Sequence, residues 1–138
     1  MTLPPRLFCD TSFFYACLDP SDVNHPRASG LIDESVAVGS DFITAWDVVS
    51  ETVTLLRYRH LFAAAWAFLS DVKPGLRLVP YGDGTRNEAE EGFQICARDY
   101  RLSYCDAVSF VVVTSLLDNL PCLAFDRDFR RLGLTVLA

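Results

Sequence analysis

Two short apolar runs that each break on an aspartate constrain this chain more than any other feature. Leu7-Phe8-Cys9 ends at Asp10, and Cys122-Leu123-Ala124-Phe125 ends at Asp126. Apolar runs of this length without alternation fit strands buried on both faces, as in a parallel sheet covered by helices. Between them, helical patterns separate further short runs. Ser12 to Leu18 reads as a short helix. Pro20 and Pro26 bracket a turn before a helix whose inner side is read as Ala28, Leu31, Ile32 and Val36. Asp41-Phe42-Ile43 is the next strand. Thr44-Ala45-Trp46-Asp47 has the spacing of a capping box, with Asp in place of Glu, and opens a helix with apolar positions Trp46, Val49, Val53 and Leu56.

The second half continues the alternation. A helix over Leu61 to Val72 stops at Pro74-Gly75, and Leu76 to Tyr81 alternates as a strand. A polar helix runs from about Thr85 to Tyr100, and an apolar one from Ser103 to Leu117. A helical turn at Arg127 to Leu132 and a strand at Leu134 to Leu137 complete the pattern. Five short strands and six or seven helices predict one α/β domain over residues 1–138, with a parallel sheet covered on both faces.

Composition removes several classes. A 51% hydrophobic and 22% charged chain has too much apolar surface for disorder. Met1 to Phe8 lacks the basic and apolar regions of a secretory signal. The longest apolar run, Val108 to Leu117, is too short and too polar for a membrane span. A soluble cytoplasmic protein is expected. The five cysteines form no C-x-x-C pair and fall mostly in apolar stretches, so reduced, buried thiols are expected. A net charge of −6 does not suit a protein that holds nucleic acid by charge alone. It is compatible with an acidic cluster made electropositive by bound cations, and with a basic protein partner.

Ligands of open α/β sheets bind at the carboxyl ends of the strands. Asp10 and Asp126 follow strands directly, and Asp106 begins the late apolar helix, where the helix dipole favours a carboxylate. Glu51 lies two turns into the helix from Thr44, beside its apolar stripe, where a solvated rim residue is the ordinary reading. The others have ordinary readings too. Asp10 could cap the helix that follows, Asp126 could be a turn residue, and Ser103-Tyr104-Cys105-Asp106 has capping-box spacing. Apolar context weighs against those readings jointly: Phe8-Cys9, Ala107-Val108 and Ala124-Phe125 flank the three aspartates. Acids at a buried sheet edge need a partner, and the chain has a single lysine, Lys73. A hard cation such as Mg²⁺ or Mn²⁺ is the natural partner of such carboxylates.

At these residues the chain resembles the PIN-domain family, and within it the VapC-type toxins of bacterial toxin–antitoxin pairs. The resemblance is carried by Asp10-Thr11-Ser12, by Glu51-Thr52-Val53-Thr54-Leu55-Leu56-Arg57, by Asp106-Ala107-Val108-Ser109-Phe110 and by Phe125-Asp126-Arg127-Asp128-Phe129, in order along the whole chain. It implies a three-layer α/β/α fold with a five-stranded parallel sheet, Mg²⁺- or Mn²⁺-dependent endoribonuclease activity, a cognate antitoxin and a homodimer. By motif position it implies that Asp10, Glu51, Asp106 and Asp126 are catalytic and metal-binding, with Asp128 and Ser12 auxiliary.

On that basis Asp10, Asp106 and Asp126 are expected to hold the metal, and Glu51 to complete the cluster and orient or deprotonate the attacking water. Arg57, Arg59, Arg127, Arg130 and Arg131 could place RNA phosphates, or could only favour helix C-termini. His25 and His60 lie outside the motifs and are read as surface or helix-end residues. A haloacid-dehalogenase-type phosphatase would want an acid where Ser12 stands, and a receiver domain would want an acidic pair and a late lysine. The alternative of another class is a PIN-like module with weak or latent cleavage that acts mainly by binding a basic partner.

Overall fold

The computed structural model describes residues 2–59, 61–96, 98 and 101–138. Four parallel strands form its sheet: β1 (Arg6–Cys9), β2 (Asp41–Thr44), β3 (Arg77–Leu78) and β4 (Cys122–Leu123), in the order β3-β2-β1-β4. Leu7 pairs with Phe42, Cys9 with Leu123 and Thr44 with Leu78. β1 is one of the two inner strands, and its Leu7, Phe8 and Cys9 are fully buried. A strand with sheet neighbours on both sides and helices above and below can only be built from such a run.

The helices are α1 (Thr11–Leu18), α2 (His25–Val38), α3 (Trp46–Tyr58), α4 (Phe62–Ala67), α5 (Asp83–Cys96), α6 (Tyr104–Val111) and α7 (Arg127–Arg131). They make the outer layers of a three-layer α/β/α fold. The buried apolar residues form one cluster that joins Phe8 of β1, Phe13 of α1, Leu31 of α2, Leu56 of α3, Val108 of α6 and Phe129 of α7.

Several expectations shift. The fifth strand, placed at Leu134 to Leu137, is reduced to a single parallel bridge from Val136 to Cys122, so the sheet has four strands. Cys122 N–H donates to the Thr135 carbonyl (2.8 Å) and Leu137 N–H to the Cys122 carbonyl (3.0 Å). β4 itself has only two paired residues before the chain leaves to begin α7, so a partner has little ladder to extend along. The strand expected from Leu76 to Tyr81 is likewise paired only at Arg77–Leu78.

Thr44 does not cap a helix. It ends β2 and its hydroxyl donates to the Cys9 carbonyl (2.9 Å), while α3 starts at Trp46 without a side-chain cap. The buried face of α3 is Val48, Val49, Thr52 and Leu56. Trp46 is exposed, with the Lys73 ammonium 4.9 Å from its ring centre. Val36 of α2 is also exposed, and Ser35 takes the inner position expected of it. The helix expected to reach Leu117 passes at Val112–Leu116 into a π-turn, and the one expected to reach Val72 does so at Phe68–Val72. His25 opens α2 with Nδ1 2.6 Å from the Ala16 carbonyl, as suits a helix-end residue. His60 and the expected helix end at Tyr100 lie outside the described residues.

Candidate metal and phosphodiester site

The site grows out of helix caps at the carboxyl edge of the sheet. Asp10, one residue past β1, is the N-cap of α1 and accepts the Ser12 N–H at Oδ2 (3.1 Å). Asp126, beyond β4, is the N-cap of α7 and accepts the Asp128 N–H at Oδ1 (2.9 Å). Asp106 and Ser103 form a reciprocal capping box on α6, with Ser103 N–H to Asp106 Oδ2 at 3.1 Å and Asp106 N–H to Ser103 Oγ at 3.0 Å. Each cap fixes one carboxylate oxygen on backbone N–H groups and so orients the whole group. The structural and chemical readings of these aspartates are therefore compatible.

These caps face a common space. A cavity of about 250 Å³ is lined by Asp10, Glu51, Asp106 and Asp126, together with Ser12, Ser103 and Arg101. Asp10 and Asp106 are only 2% and 5% exposed, whereas Glu51 and Asp126 are half-buried. Glu51 reaches the cavity from the middle of α3, which packs against both α1 and α6. Its rim position beside the buried stripe is what allows it to face inward across the sheet edge.

Ser12 joins the two strand ends. Its hydroxyl donates to Asp10 Oδ2 (2.7 Å) and accepts from the Phe125 and Asp126 N–H groups at 2.9 and 3.3 Å. A single oxygen thereby sets the spacing between the Asp10 and Asp126 segments. Asp128 enters from α7. Carboxylate oxygens of Asp106, Asp126 and Asp128 lie within 4.8 Å of one another, and Asp128 also pairs with Arg131 at 3.6 Å. Asp106 and Asp126 belong to both groups, lining the cavity with Asp10 and Glu51 and lying within reach of Asp128.

Packing carboxylates together out of water raises their proton affinity. Burial pushes Asp10 up to about 6, opposed by the Ser12 hydrogen bonds and assisted by the Glu51 charge. Burial, followed by the charges of Asp10, Asp126 and Glu51, pushes Asp106 up to about 7, against the backbone hydrogen bond from Ser103. Asp10 Oδ1 is buried and has no hydrogen-bond partner among the described residues. An orphaned, buried carboxylate oxygen beside three further carboxylates is the donor set of a hard divalent cation, so the residues fit such an ion.

Among the candidate cations, Arg57 rests over the Phe62 ring at 5.4 Å, and Arg130 donates to the Ala138 carbonyl at 3.4 Å. Neither they nor Arg127 line the cavity. Arg59 lines an adjoining cleft. The arginine on the cavity wall is Arg101, which no motif singled out. Its only signal in sequence is its place two residues before the α6 capping box. The thiols are free, with Cys9 and Cys122 buried, and burial holds the Cys9 thiol well above its usual range.

The sequence matches the PIN domain family over residues 7–134. No curated protein matches it at a significant level. Among solved structures, the fold is similar to the crystal structure of Mycobacterium tuberculosis VapC20, a Sarcin-Ricin loop cleaving toxin. The TM-score is 0.78 at 26% sequence identity, covering 94% of this chain and 96% of that one.

Proposed function

This chain belongs to the PIN domain family, and from that premise we propose that it is a metal-dependent endoribonuclease, the toxin of a type II toxin–antitoxin pair. The observation that carries the reading is the convergence of Asp10, Glu51, Asp106 and Asp126 on one cavity, with the Asp10 Oδ1 atom buried and unpaired. Asp10, Asp106 and Asp126 would hold Mg²⁺ or Mn²⁺, with Asp128 close enough to Asp106 and Asp126 to assist. Such an ion, when bound, polarises the scissile phosphate and lowers the pKa of a coordinated water.

The chain's own residues do the rest. Ser12 and the three helix caps hold the carboxylates in fixed orientation, so little reorganisation accompanies substrate entry. Glu51, the half-buried acid of the cluster, orients the attacking water and takes its proton. Arg101, on the same wall, offers a planar donor pair to a phosphate oxygen. A new P–O bond forms to the water oxygen as the bond to the leaving ribose oxygen breaks, and that oxygen takes up a proton from solvent.

The charge of −6 supports a basic protein partner, which for a toxin of this kind is its antitoxin. A homodimer is the expected assembly in solution, and sedimentation of the purified chain tests it. The same charge favours, as a second reading, a module whose cleavage is latent and whose main work is binding that basic partner. No helix among the described residues is long and apolar enough to cross a membrane.

The deciding experiment is cleavage of a panel of structured RNAs, beginning with a sarcin–ricin loop hairpin, in Mn²⁺ or Mg²⁺ and in EDTA. Cutting that requires the cation and disappears in Asp106→Asn is the expected result. Cutting that persists in EDTA, or undiminished in Asp106→Asn, overturns the assignment.

A further inference from the structure

Beside the acidic cavity lies a second cleft, of about 280 Å³. The two share Ser12, Leu55 and Asp126 as a common wall, so a polymer crossing one enters the other. The remaining lining of the second cleft has a different chemistry: Tyr15, Asp22, Asn24, Arg59 and Phe125.

Arg59 caps the C-terminal end of α3 and is exposed. Its guanidinium carbon sits 5.3 Å from the centre of the Tyr15 ring. Tyr15 is buried in α1 and its hydroxyl donates to Asp19 Oδ2 at 2.6 Å, so the ring under the guanidinium is anchored at both ends. Phe125 is fixed in turn against Phe13, with ring centres 6.4 Å apart and planes 27° from parallel. Guanidinium and aromatic planes of this kind are the surfaces on which unstacked RNA bases are held.

Asp22 and Asn24 bring hydrogen-bonding capacity. Asp22 Oδ1 accepts the Asn24 N–H at 2.8 Å, and no protein donor among the described residues meets the second oxygen. Asn24 is half-buried, with a side-chain amide that both donates and accepts. A guanidinium plane, an aromatic plane, an amide and a carboxylate together describe a site for a nucleobase. The volume, just below the roughly 300 Å³ at which small-molecule pockets begin, suits one unpaired unit and not a duplex. A carboxylate needs a donor opposite it. Adenine, cytosine and guanine each present an exocyclic amino group. Uracil flanks its single ring N–H with two carbonyls, which a carboxylate repels.

We propose that this second cleft is a base-selecting subsite that holds one unpaired nucleotide next to the phosphate at the acidic cavity, favouring amino-bearing bases over uracil. The inference rests on the nuclease reading for the role of the adjoining cavity, while the cleft's affinity for nucleotides can be read without cleavage.

The test is an NMR titration of the full chain, in EDTA, with the four nucleoside 5′-monophosphates and with ribose 5-phosphate. The expected shifts centre on Tyr15, Asn24 and Arg59, are weakest for UMP, and are nearly absent for ribose 5-phosphate. Arg59→Ala lowers affinity roughly tenfold, and Arg59→Lys fails to restore it because the charge returns without the plane. Asp22→Asn supplies a donor and lifts the discrimination against uracil. Ribose 5-phosphate binding as well as the nucleotides, or full rescue by Arg59→Lys, overturns the subsite. A parallel arm maps the base beside the cut in loop RNA with Mn²⁺. Wild-type cutting whose base preference is the same in Asp22→Asn overturns the subsite and leaves the nuclease reading intact. Base-selective binding at the cleft with no wild-type cutting supports the subsite and sinks the nuclease reading instead.

Discussion

At the scale of single residues, Asp106 is where burial and neighbouring charge act together. In the unfolded chain its carboxyl titrates near 3.8, and in the fold it is pushed up to about 7, with Asp10 up to about 6. The folded state therefore binds more protons than the unfolded one between those values, and stability falls as pH rises through the window. Thermal unfolding in EDTA should show a midpoint that drops between about pH 4 and pH 7, as the unfolding free energy falls by an amount on the order of a few kcal/mol. A midpoint that rises over that range contradicts the assignment of the shifts. Asp106→Asn removes the repulsion yet leaves an oxygen to accept the Ser103 N–H. It should raise the metal-free midpoint at pH 8 by several degrees while lowering cleavage by at least roughly a hundredfold. Ser12→Ala has the opposite stability sign. Two backbone N–H groups lose their acceptor, so about 2 kcal/mol of stability should be lost on denaturant titration, with reduced cleavage as the Asp10 and Asp126 segments loosen.

At the scale of elements, the caps explain both what sequence made legible and what it hid. Strand-then-aspartate at Asp10 and Asp126 was readable because a buried apolar run has few ways to end, and the Ser103-to-Asp106 spacing named its own hydrogen bonds. Thr44 to Asp47 carried the same spacing and misled, since the Thr44 hydroxyl is spent on the Cys9 carbonyl and Ala45, one residue later, takes the N-cap position. Trp46 looked like core by periodicity, but a helix's inner face depends on where the helix begins, and α3 begins at Trp46 itself. The fifth strand failed because pairing needs a long enough neighbour, which no local pattern reports. Arg101 was invisible because its place on the cavity wall follows from how α6 meets the sheet edge, not from any motif. The α6 cap also gives a direct test. Ser103→Ala should cost about 1 kcal/mol of stability, measured by denaturant unfolding, because the Asp106 N–H loses its Ser103 Oγ acceptor. The Ser103 N–H still holds the Asp106 carboxylate, so cleavage should fall only modestly as the start of α6 loosens.

At the scale of the whole molecule, the fold concentrates negative charge on one edge of a sheet, and a chain of net charge −6 offers little positive field to offset it. A divalent ion should therefore act as a ligand for the folded state. Saturating Mn²⁺ at about a hundred times its Kd should add about 2.7 kcal/mol to the unfolding free energy, and EDTA should remove it. The gain should be larger at pH 8 than near pH 5, because Asp10 and Asp106 must lose their protons to bind metal. A midpoint indifferent to Mn²⁺ at pH 8 would argue that the cavity holds no ion.

That Asp10 and Asp126 are also helix N-caps, and Asp106 the third-position partner of the Ser103 cap, has a genetic consequence. Asparagine is about as good an N-cap as aspartate, and one G-to-A change in an aspartate codon produces it. A cell burdened by this protein's activity thus has several single-base routes to a chain that still folds, still accumulates and no longer cuts. Survivors selected for escape from its expression should carry Asn at position 10, 106 or 126 more often than disruptive changes at Phe8 or Leu56, wherever the intact fold is still needed to occupy a partner. Sequencing such survivors, with and without that requirement, would show whether loss of catalysis and loss of fold are separable by mutation.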